Sequence, residues 1–178
     1  FFLDICSYYG GLHYVLKKVY PYSSQILVDF PHQLSRAAYF LESSFPDSQI
    51  YAIYDNSSLD NFFRLNTVKK FDFILVTTDL YNQFSDLYTE KKYSIDLLTN
   101  FYSLGEMPND AFYGYLKSKI MMNSKMIYFC NRYDSSPFYE PTFEERYSLL
   151  DYLLFGYEIV LNRSSGIHKY MMPIRKLF

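Results

Sequence analysis

The chain has no tryptophan, only two cysteines, three histidines and six glycines in 178 residues, and its formal charge is −2. Each shortage removes a class of explanation. Cys6 and Cys130 lie far apart without metal-type spacing, which argues against a disulfide framework or a cysteine zinc site. They read instead as buried free thiols in a reducing, cytoplasmic compartment. No pair among His13, His32 and His168 has ligand spacing and no acidic cluster completes a site, so the expected metal content is none. Without a basic excess there is no electrostatic case for nucleic acid or for an anionic membrane surface. No run approaches the roughly 18 apolar residues of a membrane span, and no signal peptide opens the chain. The sequence starts without Met and almost inside a strand, as a domain lacking an N-terminal part would.

What is present is apolar and aromatic. Hydrophobic residues make up 49% of the chain, enough for one folded domain over residues 1–178 that needs no disulfide or metal support. The 21 Tyr and 17 Phe are spread over every element at core-type positions. They are expected to fill the core rather than to stack bases or sugars.

Strand and helix patterns alternate. Residues 1–6 read as a buried strand, 11–19 as a helix ended by Pro21, and 25–30 as a second strand. Pro31 suits a first helical turn, and Leu34, Ala37, Ala38, Leu41 and Phe45 carry that helix up to Pro46. Residues 49–54 read as a short extra strand, 55–60 as a polar loop and 71–77 as a strong strand, while 79–93 fits either type. A strand over 95–100, a turn at 105–108, a helix over 109–122 and a strand over 125–130 follow. Thr142 and Glu145 have capping-box spacing for a helix running to about 155. Residues 157–162 and 168–174 then suit two strands joined as a hairpin. The expected fold is α/β: a Rossmann-like open sheet, mostly parallel, with a C-terminal antiparallel hairpin.

In such sheets ligands bind at the carboxyl ends of strands, where the strand order reverses. The first thirty residues are the place to look, because Leu3-Asp4-Ile5 is followed by Cys6-Ser7-Tyr8-Tyr9-Gly10-Gly11, a helix pattern and a second strand ending in Asp29. Gly10 and Gly11 suit backbone approach to a ligand at a helix start, and Asp29 lies where an acid accepts ribose hydroxyls. A tight strand-to-helix turn with Asp29 as a helix cap fits the same residues. His32 follows closely enough to touch a cofactor there, or simply occupies a first helical turn.

The segment from Leu3 to Leu12 resembles the first motif of S-adenosylmethionine-dependent methyltransferases. More narrowly, Val28-Asp29-Phe30-Pro31, Ile95-Asp96-Leu97-Leu98-Thr99-Asn100, Ser103-Leu104-Gly105-Glu106-Met107 and Cys130-Asn131-Arg132 are similar to the bacterial putative sugar O-methyltransferases, over about residues 3–132. The resemblance implies a class I methyltransferase fold holding S-adenosyl-L-methionine over Asp4, Cys6, Gly10 and Gly11. It implies a ribose near Asp29, an adenine near Thr78 and Asp79, and a crevice lined from Phe101 to Glu106. In the family turn the positions of Cys6 and Tyr8 are usually glycine, since a side chain there crowds the methionine moiety or requires an unfavourable backbone angle.

The expected reaction is methyl transfer to a hydroxyl of a carbohydrate or glycan precursor. Glu106 is the candidate general base, with a dipole-stabilised acid at the next helix start as its plainer role, and Asn131 and Arg132 are candidates for binding the acceptor. Two other readings use the same residues. One is a methyltransferase-like domain kept for binding or assembly. The other, a nicotinamide-dependent oxidoreductase, lacks the Gly-x-Gly-x-x-Gly series on which its pyrophosphate site depends.

Overall fold

The computed structural model describes residues 1–65, 71–131, 134–135, 147–154 and 156–158. In chain order its elements are β1 (Phe2–Ile5), α1 (Gly11–Val19), β2 (Gln25–Asp29), α2 (Pro31–Ser44), β3 (Ile50–Ile53), α3 (Asn56–Leu65), β4 (Phe73–Thr77), α4 (Tyr81–Glu90), β5 (Leu97–Phe101), α5 (Asn109–Leu116), α6 (Lys119–Asn123) and β6 (Ile127–Cys130). A short antiparallel pair, β7 (Asp134–Ser135) and β8 (Tyr147–Ser148), stands apart. The main sheet is wholly parallel in the order β3-β4-β2-β1-β5-β6.

The strand sequences dictate this arrangement. β2 and β4 are buried at every position, as expected of parallel strands covered on both faces. One face carries Leu27, Phe73 and Leu75 against Leu34, Ala37 and Leu41 of α2. The other carries Ile26, Val28, Ile74, Val76 and Leu98 against Leu59, Phe62, Phe84 and Phe112, drawn from α3, α4 and α5. Many of the aromatics do fill this core, but Tyr8, Phe30, Tyr39 and Tyr54 are more than half exposed.

Three expectations are corrected. The polar stretch 55–60 is not a loop: Asp55 Oδ1 accepts the Ser58 N–H at 2.7 Å, Ser58 Oγ accepts the Asp55 N–H at 3.0 Å, and α3 begins there. Its Asn, Ser and Asp residues are a helix cap and exposed face, while Leu59, Phe62 and Phe63 form the buried stripe. The helix expected over 109–122 is two helices, because Ser118 Oγ accepts the Met121 N–H and starts α6 afresh. Where a helix was expected up to 155, the described residues form β8 and a 3₁₀ turn, Leu149–Tyr152, capped by reciprocal bonds between Ser148 and Asp151. Residues 79–93 resolve as a 3₁₀ turn, Thr78–Leu80, leading into α4. The Thr142/Glu145 cap, His168 and almost all of the C-terminal hairpin lie outside the described residues.

Candidate functional site

From β1 the chain moves to β2 on one side and later returns to β5 on the other, so the strand order reverses at the β1–β5 crevice. The segment after β1 is built by backbone bonds: Cys6 N–H and Ser7 N–H both donate to the Val28 carbonyl, at 2.7 and 3.2 Å, and Gly10 N–H donates to Ser7 O at 3.0 Å. Three alternate residues are left-handed, Cys6 at φ 61°, Tyr8 at φ 52° and Gly10 at φ 85°. This is the path of a turn with glycine at all three positions, followed here with two L side chains at a cost of about 1–2 kcal/mol each. Gly10 also packs closely, since a Cβ there would sit 3.2 Å from Leu41 Cδ1, near enough that the leucine side chain would have to give way. Gly11 is covered by the phenol of Tyr9, whose Oη lies 2.7 Å from where a Cβ would be.

Asp29, at the tip of β2, is 5% exposed. Its Oδ2 accepts the Tyr8 N–H and its Oδ1 the Phe30 N–H, both at 2.7 Å. Burial pushes its carboxyl above the ordinary value, against the pull of those two N–H groups. Each oxygen keeps a second lone pair for a hydroxyl donor. His32 is exposed and stacks on Phe30 rather than entering the turn.

Asp4 lies beneath the turn, 4% exposed, where Thr99 Oγ1 donates to its Oδ1 at 2.6 Å and Ser7 Oγ to its carbonyl at 2.7 Å. Burial raises its pKa to about 7. His13 of α1 is wholly buried with Nε2 3.9 Å from Asp4 Oδ2, and burial lowers its pKa to about 4. The Gln25 amide satisfies its surroundings with its nitrogen toward this ring, donating to Nδ1 at 2.8 Å, while its oxygen accepts the Lys17 N–H at 3.0 Å. His13 is therefore neutral, with its proton on Nε2 facing Asp4.

Cys6 joins these groups to the other wall. Burial pushes its thiol up to about 12; a hydrogen bond with Ser103 opposes this, and the charges of Asp29, Asp4 and Glu106 add to it. At neutral pH it is an uncharged thiol, not a nucleophile. Both cysteines are half-buried rather than fully buried, and Cys130 Sγ donates to Tyr102 Oη at 3.1 Å. Glu106 ends the 3₁₀ turn Leu104–Glu106, partly buried at the crevice mouth. Phe101 closes β5 with its ring tilted against Tyr128, and Tyr102 after it is again left-handed at φ 59°. Thr78 and Asp79 follow β4, which pairs with β2 so that Thr77 is opposite Asp29. Asn131 follows β6 and reaches the crevice through Asn100; Arg132 lies outside the described residues.

Several groups at this edge were missed in the sequence. Asn100, completely buried at the end of β5, donates to Ile5 O and to Ser103 Oγ and accepts from Leu104 N–H and Asn131 Nδ2. Its signal was an amide closing an apolar strand, since a buried amide must find partners. Tyr115 of α5 packs on Tyr81 at 4.7 Å, and its phenol is raised by burial above all and further by Cys6, Tyr81 and Asp29. Among the described residues, three buried polar atoms without a protein partner sit at or just past strand tips, Thr77 Oγ1, Gln33 Oε1 in the first turn of α2, and Asn131 Oδ1, while His13 Nε2 and Tyr88 Oη are unpartnered elsewhere. Their spacing carries no pattern that a linear reading detects.

The chain matches no protein-family model and no curated protein. Among the described residues no group of three metal-ligating side chains converges, and no helix is long and apolar enough to cross a membrane.

Proposed function

We propose that the β1–β5 crevice binds S-adenosyl-L-methionine and directs its methyl group to a hydroxyl of a carbohydrate or glycan precursor. The observation that carries this reading is the turn after β1, where Cys6 and Tyr8 adopt the left-handed angles that glycine adopts easily. The orphaned Thr77, Gln33 and Asn131 atoms support it, because a polar ligand at this edge would satisfy them. In this reading the cofactor is held by the turn from Cys6 to Gly11, above Asp4, by Asp29 at the ribose hydroxyls, by Thr78 and Asp79 at the adenine, and by Phe101 at the opening. When bound, the sulfonium would supply an activated methyl group with a neutral thioether as its leaving group. Glu106 takes the proton of the acceptor hydroxyl on its carboxylate, and Asn131 with Arg132 orients the acceptor. The class I methyltransferase fold is part of the same proposal, as is a cytoplasmic setting.

Two observations favour a binding or assembly domain instead: both Asp29 oxygens already accept backbone N–H groups, and two turn positions carry side chains. Calorimetry with S-adenosylmethionine on the wild type and Asp29→Ala separates the two. The proposal expects saturable binding that Asp29→Ala weakens about 5- to 150-fold, equivalent to the roughly 1–3 kcal/mol of an unmade charged hydrogen bond. Equal affinity in a well-folded variant removes Asp29 from the site, and no heat with well-folded wild type favours the non-catalytic domain.

A further inference from the structure

Two of the unpartnered polar atoms lie on either side of Asp29, on one face of the sheet. β2 and β4 pair Gln25 with Phe73, Leu27 with Leu75 and Asp29 with Thr77. Leu27, Phe73 and Leu75 pack under α2, so the alternation of strand side chains turns Asp29 and Thr77 to that same face. They are neighbours there, on strands about 5 Å apart. Thr77 is 4% exposed, and among the described residues its hydroxyl meets no partner. Gln33 approaches from the other side. It precedes Ala37 and Leu41 at helical spacing, and those are the side chains that a Cβ on Gly10 would meet, at 3.5 and 3.2 Å. Gln33 therefore stands one helical turn, about 5 Å, nearer the strand tips, beside the β1–α1 segment that sends the Tyr8 N–H to Asp29. Its Oε1 is buried and also without a partner among the described residues.

Each of these oxygens is a cost that a residue of the same shape would avoid, Val for Thr77 and Met for Gln33. Their chemistry with Asp29 narrows the ligand. An anion is excluded by the carboxylate between them. A bare cation fits poorly, because both Asp29 oxygens already face N–H donors at 2.7 Å. Two hydroxyls on adjacent carbons suit the whole set: one donates to Asp29 and accepts the Thr77 O–H, and its neighbour donates to Gln33 Oε1. We infer that Thr77 and Gln33 complete Asp29 as a reader of a vicinal diol, the 2′- and 3′-hydroxyls of a ribose. This rests on the adenosyl reading of the crevice for the ribose itself, and adds the two residues that make an intact diol necessary.

The test uses the whole chain with four probes: adenosine, 2′-deoxyadenosine, 3′-deoxyadenosine and S-adenosylhomocysteine. Calorimetry is recorded on the wild type, Thr77→Val and Gln33→Met, with thermal unfolding of each without ligand. The wild type should bind adenosine and S-adenosylhomocysteine, and each deoxynucleoside about fivefold more weakly than adenosine. Thr77→Val should bind adenosine about fivefold more weakly and no longer distinguish one deoxynucleoside from it, and Gln33→Met should lose the distinction for the other. Both variants should unfold at or above the wild-type temperature, since each removes an unpaired buried oxygen. Variants that melt lower yet keep both distinctions make the two residues structural and overturn the reader. Deoxynucleosides that bind the wild type as tightly as adenosine also overturn it, with the adenosyl site intact. A wild type that requires the diol in adenosine but takes up no S-adenosylhomocysteine keeps the reader and removes methyl transfer. Silence from all four probes overturns both.

Discussion

Replacing Asn100 with Ala is expected to destabilise the protein by about 3 to 5 kcal/mol, a large share of the 5–15 kcal/mol that holds a typical domain folded. The residue is completely buried where β5 meets β1. Its amide donates to Ile5 O at 2.8 Å, and its oxygen accepts from Asn131 Nδ2 at 2.9 Å and from Leu104 N–H at 3.3 Å. The variant leaves all three groups without that partner, each at about 1–3 kcal/mol, with water at the crevice mouth recovering part of the loss. Urea denaturation measures the effect as a lower midpoint at unchanged slope. A loss below about 1 kcal/mol would mean that Asn100 does not tie β1, β5 and β6 together at this edge.

The second large effect concerns pH and the pair beneath the turn. Asp4 has its pKa raised from 3.8 to about 7, so its contribution to stability is full below the unfolded value and is lost as pH rises toward 7. His13 has its pKa lowered from 6.5 to about 4, so its contribution is full above 6.5 and is lost as pH falls toward 4. They amount to roughly 4 kcal/mol for Asp4 and roughly 3 kcal/mol for His13, and between pH 4 and 6.5 the two slopes oppose one another. The wild type should therefore change little from this pair over that window. Asp4→Asn should expose the histidine slope, with stability climbing from pH 4 to 6.5, and His13→Gln should expose the aspartate slope, with stability falling over the same range. Denaturant midpoints at half-unit pH intervals test this; parallel pH profiles for the two variants would break the assignment.

The strands of the main sheet were legible, most plainly where burial on both faces leaves an unbroken apolar run, as in Phe73–Thr77, whereas β7 and β8 were not. The helix α3 was not, because its cap and outer face are Asp55, Asn56, Ser57 and Ser58, residues equally at home in a loop, and its apolar stripe starts only at Leu59. At the site, Asp29 was legible as an acid at a strand tip. The angles of Cys6 and Tyr8 were not, because nothing in a Cys or Tyr codon position announces a left-handed backbone. What imposes it is tertiary: Val28 O receives two N–H groups and Asp29 draws the Tyr8 N–H across. Asn100 and Thr77 were hidden for a related reason, since they matter through neighbours on strands distant in sequence.

Those left-handed angles are the centre of the functional account, and a crystal structure grown with saturating S-adenosylhomocysteine tests it most directly. The account predicts density for the adenosyl group above Gly10, with the ribose hydroxyls on Asp29 and the turn from Cys6 to Gly10 unmoved. A well-ordered crystal with the same turn and no ligand density in the crevice would contradict it.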